Sequence, residues 1–359
     1  MEISYKEVHY QFRLNGISFS YEDLKEVGYC LIKEGLPFEI PIGNFLIDWV
    51  NDSDTITVKT SGSTGVPKLI TLQKQHMVNS AIATGRFFDL KAGSSALLCL
   101  PTDYISGKMM LVRAMVLGLK LDYVEPNSKP FKYIDKSYDF CAMIPIQLEN
   151  SLEKINQIQT LIIGGAKMSS DLIAKAQDNT THIFETYGMT ETISHIAIKT
   201  INHQEKTRPT NFKALPEVKL KIDERSCLVI DAPAISDIEV VTNDVVNLFS
   251  DSEFEWLGRF DSIINSGGVK LLPEKIEAKL AAIIDSKFFV AGIPDAILGQ
   301  KLVLIIESRN HIPELTEKIN KLSNLDKFEI PKEIFTIEKF ITTENGKIQR
   351  SKTISLALK

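Results

Sequence analysis

The pattern of apolar and polar positions divides the chain into short units. Residues 54–58 (DTITV) and 68–72 (KLITL) alternate polar and apolar, the period of half-buried strands. Residues 96–101, 120–126 and 138–145 read as further strands, with helix-length stretches at 107–118, bounded by glycines, and at 146–155. Residues 159–177 give strand, turn and helix, with Ser169 or Ser170 as the cap. Residues 181–188 give strand then loop. From about 218 to 260 the chain is β-rich. Beyond it, 272–284 is an amphipathic helix with Pro273 at its start, 314–323 is helical, and 288–294, 301–308 and 333–340 are strands. The alternation predicts an α/β protein. The expected organisation is a large domain, 1–260, of mixed sheets covered by helices with a β-rich subdomain, and a small mobile α+β domain, 261–359. No internal repeat or low-complexity segment appears.

Between the first two strands lies SGSTGVPK, residues 61–68. Glycine permits positive φ and close approach of a ligand, and successive amides of such a turn cradle anions. With the hydroxyls and Lys68, a phosphate chain is the natural guest. The nucleotide loop G-x-x-x-x-G-K-[ST] does not fit, because Pro67 stands at the second glycine and Leu69 follows the lysine. Pro67 has no N–H to donate. A plain hairpin loop is the alternative.

The 107–118 stretch carries Met109, Met110, Leu111, Val112, Ala114, Met115, Val116 and Leu117, apolar nearly all round, so the helix is expected to be buried. Arg113 interrupts it. A buried guanidinium requires a partner, either an internal carboxylate or an anionic ligand. Ser106 precedes it by two turns, roughly 10 Å along the same face, and a hydroxyl with a planar fork suits a carboxylate.

Composition excludes other classes. The chain has 359 residues, 44% hydrophobic and 24% charged, with net charge −5. Nothing in that balance suggests a nucleic-acid or membrane surface. Cys30, Cys99, Cys141 and Cys227 lack metal or redox spacing and read as reduced structural thiols. No signal peptide and no apolar run of bilayer length is present, so a cytoplasmic protein is expected.

Four further stretches follow the loop in order: ETYGMTET (185–192), TND (242–244), LGRFDSIINSGGVKLLPEKIE (257–277) and ENGKIQR (344–350). With TSGSTGVPK they resemble the adenylate-forming superfamily of acyl- and aryl-CoA ligases, from about residue 54 onward. The resemblance implies that an acid attacks the α-phosphate of ATP, pyrophosphate leaves, and the thiol of coenzyme A displaces AMP. It implies that Thr60, Ser61, Gly62, Ser63, Thr64, Gly65 and Lys68 hold the β- and γ-phosphates. It further implies that Thr190 meets the α-phosphate and that Glu191, with Thr64, serves Mg²⁺. Tyr187 would stack on adenine, with Gly164, Gly165 and Ala166 opposite and Glu185, Thr186 and Gly188 around them. Asp244 would bind the ribose hydroxyls, with Arg259 beside it. Lys347 would be the mobile lysine of adenylation, Asp261 the hinge, and Gly267 and Gly268 the coenzyme A channel. Taken singly, Tyr187 could be a packed aromatic and Glu191 a solvated acid.

Pro101, Ser106, Gly107 and Arg113 also resemble the o-succinylbenzoate–CoA ligase branch of menaquinone biosynthesis, with Tyr104 where a histidine is usual. In that branch Ser106, Arg113, Tyr104 and Gly188 would line the acid site. His195 reads as a satisfied core histidine. The chain departs from its relatives in a short region before the phosphate loop, Ile341 in place of a proline, and Val269 in place of an acid. Oligomeric state stays open. Competing readings are a ligase for another acid, an adenylation domain that loads a carrier protein, and a non-catalytic nucleotide-binding module.

Overall fold

The computed structural model describes residues 3–60, 68–203, 211–309, 314–342 and 348–358. Among them a 13-stranded sheet dominates. Its parallel part carries Arg13–Leu14, Lys120–Tyr123, Ser95–Leu98, Tyr138–Met143, Ile158–Ile163 and His182–Gly188, side by side in that order. At His195–Thr200 the direction reverses, and the β-rich section, through Glu253–Arg259, continues the same sheet as antiparallel strands. The β-rich section is therefore hydrogen-bonded onto the parallel part. Helices Lys74–Phe87 and Ile105–Leu117 pack on each other and on one side of this sheet, in a core with Met77, Met110, Phe140 and Ile196. A second core lies around Cys141, Ile158, Leu161 and Leu172.

The first fifty residues close one edge. Ile17–Ser18 pairs antiparallel on Arg13–Leu14, and helices Leu24–Lys33 and Ile40–Trp49 bury Leu24, Phe45, Leu46 and Trp49 in the main core. The helix pair meets at Gly28 and Gly43. A Cβ on Gly43 would stand 2.5 Å from the Gly28 carbonyl, so only glycine allows this backbone approach.

The sheets part after Arg259. Ile264–Ser266, Val269–Leu271, Phe288–Asp295, Gly299–Glu307 and Glu333–Ile337 form a separate five-stranded sheet. Helix Pro273–Leu280 packs on it through Ile276 and Leu280, with its proline in the first turn as expected.

Three local readings change. The strand at 182–188 runs through Gly188, so the loop begins only at Met189. The helix expected over 146–155 is confined to Pro145–Glu149, because Leu148 and Ile155 both turn into the second core across an intervening turn. Cys30 is exposed, whereas Cys99, Cys141 and Cys227 are buried, and all four are free. No helix among the described residues is long and apolar enough to cross a membrane.

Candidate active site

Thr55–Lys59 and Leu69–Gln73 form the expected hairpin. Its described rim is closed by Thr60 N–H to the Lys68 carbonyl at 2.9 Å and Lys68 N–H to Thr60 Oγ1 at 3.1 Å. Ser61, Gly62, Ser63, Thr64 and Gly65 lie outside the described residues. Leu69–Gln73 lies beside the turn Thr190–Thr192, so the base of the hairpin adjoins Glu191. Glu191 is exposed, and among the described residues no side chain pairs with it.

His182–Gly188 is the organising strand, because successive side chains point to opposite faces. On one face, Thr186 donates its hydroxyl to the Ile163 carbonyl at 3.0 Å, where the neighbouring strand ends. Gly164 and Gly165 follow there. Gly165 has φ +81, and Ala166 is exposed. Gly188 shares that face with His195. A Cβ on Gly188 would stand 2.3 Å from the Ser194 carbonyl oxygen, so its glycine identity is steric.

On the other face Glu185 is buried, ion-paired with Lys199, and accepts the Met168 N–H at 2.9 Å. Tyr187 packs against Phe254 and Phe212 and donates its hydroxyl to Asp244 Oδ2 at 2.7 Å. Burial, and then the Asp244 charge, push that phenol well above its ordinary value. Trp256 donates its indole N–H to the other Asp244 oxygen at 3.1 Å. Arg259 lies 3.9 Å from Asp244, but its fork is spent on Asp261, at 3.1 and 3.0 Å. The structure thus brings Glu185, Tyr187, Asp244, Arg259 and Asp261 together. Trp256 is an addition that no motif signalled.

A second cluster lies across the sheet. Arg113 is 2% exposed. Its Nε donates to Thr84 Oγ1 at 3.2 Å and its Nη2 to Ser194 Oγ. Among the described residues Nη1 meets only the Met110 sulfur, at 3.8 Å. Among the described residues no carboxylate pairs with it, so the internal ion pair is not there. Burial draws the guanidinium down to about 10, which leaves it charged at neutral pH.

The expected Ser106–Arg113 pairing is not formed. Ser106 is exposed in the first helical turn, whereas Arg113 reaches sideways to the Lys74–Phe87 helix and to Ser194. Tyr104 is the N-cap of that helix and is half-buried. Ser194 is delivered by a γ-turn. Ile193 has φ 64 and ψ −53, a strained conformation for a β-branched residue, and Ser194 N–H reaches the Thr192 carbonyl at 2.6 Å.

Lys347 lies outside the described residues. On either side of it, Thr342 and Ile348 form an antiparallel bridge. Gly267 and Gly268 connect Ile264–Ser266 to Val269–Leu271 as a two-residue hairpin loop with φ +59 and +82, a turn that favours glycine without any ligand.

A strand hairpin beside an acidic turn, and a buried carboxylate under a tyrosine at the reversal point of a mixed sheet, fit the adenylate-forming class. The AMP-binding enzyme family model matches residues 48–231, and the chain belongs to that family of adenylate-forming acid–thiol ligases. A solved acyl-CoA synthetase (AMP-forming)/AMP-acid ligase II-like protein from Dyadobacter fermentans is 34% identical. The match covers 93% of this chain and 98% of that one, with a TM-score of 0.60. A 2-succinylbenzoate–CoA ligase of Listeria monocytogenes is 25% identical over 94% of this chain and 75% of its own length. The Bacillus subtilis o-succinylbenzoate coenzyme A synthetase, solved with ATP and magnesium, is 20% identical. Its TM-score is 0.71, over 83% of this chain and 69% of that one.

Proposed function

We propose that the protein activates an acid bearing a second carboxylate, o-succinylbenzoate foremost, as its acyl-adenylate and passes the acyl group to coenzyme A. The observation that carries this reading is Arg113, a buried cation whose Nη1 meets only the Met110 sulfur and which has no carboxylate partner among the described residues. A charge so desolvated is stabilised when an anion enters, and a planar fork held in place by two hydroxyl oxygens orients a carboxylate. Ser194, rather than Ser106, is the serine that holds this guanidinium. The relatives named for 2-succinylbenzoate support the choice of acid.

In this reading the 61–68 loop and Lys68 hold the β- and γ-phosphates, and Thr190 meets the α-phosphate. Asp244, already oriented by Tyr187 and Trp256, accepts from the ribose hydroxyls, while Gly164, Gly165, Ala166 and Tyr187 flank adenine. The free carboxylate of Glu191 fits a hard cation shared with phosphate oxygens, as Mg²⁺ prefers. Bound there, Mg²⁺ would offset charge on the departing pyrophosphate. Lys347, on the far side of a division near 259–261 with Asp261 as hinge, stabilises the adenylation transition state. The units on either side of that division then change pose to admit the thiol past Gly267 and Gly268.

The test is ATP–pyrophosphate exchange with o-succinylbenzoate beside benzoate, malonate and fatty acids. Preference for the aromatic diacid is expected. Equal use of benzoate would overturn the assignment of Arg113 to the second carboxylate.

A further inference from the structure

His195 completes a closed ring of hydrogen bonds whose proton directions are dictated by one member. Its Nδ1 lies 3.2 Å from Ser194 Oγ and its Nε2 3.5 Å from Thr84 Oγ1. Both hydroxyl oxygens also receive an N–H from Arg113, which has donors only. Thr84 spends its single hydroxyl proton on the Ser80 carbonyl, at 3.0 Å. Thr84 Oγ1 therefore faces the imidazole as an acceptor, and Nε2 must carry the proton. Nδ1 is then the acceptor, and the Ser194 hydroxyl, whose oxygen already receives from Arg113, points its proton at it. The reverse tautomer would leave Nε2 as a buried lone pair facing an oxygen with no proton to give, an arrangement that costs the full desolvation of that nitrogen. A charged imidazolium is disfavoured too, because His195 is 7% exposed and shares both hydroxyls with the guanidinium. The Phe88 ring, edge-on at 6.2 Å, fixes the plane of the imidazole.

We infer that His195 is a positioning residue for the acid. Held as the neutral Nε2–H tautomer, it takes the Ser194 proton and donates to Thr84, so that Nε and one N–H of Nη2 are committed to these two hydroxyl oxygens, and Nη1, met only by the weak sulfur acceptor of Met110 among the described residues, is left for the incoming anion. This rests on the reading of Arg113 as the acid's partner. It adds that the Ser194 hydroxyl proton is not available to that anion. The pocket meets the acid with N–H donors of fixed direction, so a second group that is a full carboxylate is favoured over a neutral hydrogen-bond acceptor.

Two measurements test it. In protein labelled with ¹⁵N-histidine, the His195 resonances, assigned by their loss in His195→Gln, should show a protonated Nε2 and an unprotonated Nδ1 at neutral pH. A protonated Nδ1 or an imidazolium overturns the proposal whatever acid the enzyme uses. In the exchange assay, His195→Phe should raise KM for o-succinylbenzoate by about tenfold. The KM for ATP should stay within about twofold and kcat nearly unchanged. His195→Gln, whose amide can accept from Ser194 and donate towards Thr84, should recover most of the loss. An unchanged acid KM in His195→Phe, or an equal rise for acid and ATP, overturns the positioning role. If His195→Phe does not fold, a His195→Gln enzyme with a tenfold higher acid KM overturns it as well. Should no acid drive exchange, the reading of Arg113 falls by itself, while the nitrogen resonances still decide the proton arrangement.

Discussion

Replacing Arg113 by methionine separates stability from binding. The change keeps an unbranched apolar stem in the packed helix Ile105–Leu117 and removes the charge. The guanidinium's fall from its ordinary value to about 10 corresponds to about 3 kcal/mol held against the fold, at about 1.36 kcal/mol per pH unit. For a cation whose pKa falls on folding, that penalty is whole below about pH 10 and fades only as pH rises above about 10 towards the range of a free arginine, so it is present in any ordinary assay. Against it stand the two hydrogen bonds to Thr84 and Ser194, worth about 1 kcal/mol each. The net expectation is a free protein more stable by about 1 kcal/mol, with Tm up by about 1–3 °C. The same variant should lose the acid. A desolvated, charge-assisted contact is worth about 2–5 kcal/mol, so KM for the diacid should rise by roughly 30-fold or more. Calorimetry beside pyrophosphate exchange reads both. A Tm lowered by more than about 5 °C, or an unchanged acid KM, would refute the reasoning, since either result makes Arg113 a structural residue with an unseen partner.

Other outcomes follow from the same geometry. His195 is pulled well below its ordinary value by burial and by Arg113, so it stays neutral in the fold while the unfolded chain's imidazole takes up a proton. Stability should therefore be complete above about pH 6.5 and fall as pH drops below it; His195→Gln should flatten that slope in denaturant titrations at pH 5 to 7, and an unaltered slope would assign it to other groups. Lys347→Ala should abolish adenylate formation yet leave thioester formation from supplied acyl-adenylate largely intact; equal loss in both half-reactions would remove the division of labour. Gly188→Ala should disturb the pairing with His195, because its Cβ would meet backbone at 2.3 and 2.6 Å, and should cost about 2–4 kcal/mol of stability along with acid affinity; a variant with wild-type melting would mean that the strand shifts freely.

The sequence was most informative where local rules act. Period-two alternation located both arms of the hairpin, short apolar runs located several of the sheet strands, and Pro273 and Ser169 marked helix starts that the structure retains. Gly188 misled because glycine is a turn signal, whereas here it is a strand residue that must admit the Ser194 backbone. The acid-side cluster was half legible. An arginine in an apolar helix announced that it needed partners, but Thr84 and Ser194 lie 29 and 81 residues away along the chain, and no periodicity encodes such a meeting. Ser106 was preferred because helical spacing is visible in a sequence and tertiary approach is not. Likewise, Trp256 donating to Asp244 is set by the bulged pairing of two antiparallel strands, where the register shifts next to both residues' neighbours.

The strand His182–Gly188 carries one further implication. Thr186 and Gly188 look towards the side that holds Arg113, and Glu185 and Tyr187 look towards the side that holds Asp244. A substitution on one face of the strand can thus alter the neighbours on that side while leaving the hydrogen bonds of the other face in place. A single inserted or deleted residue has no such privacy. It would swap the two sets of side chains between the faces of the sheet in one stroke, which makes the length of this segment, more than its spelling, the trait that inheritance must guard.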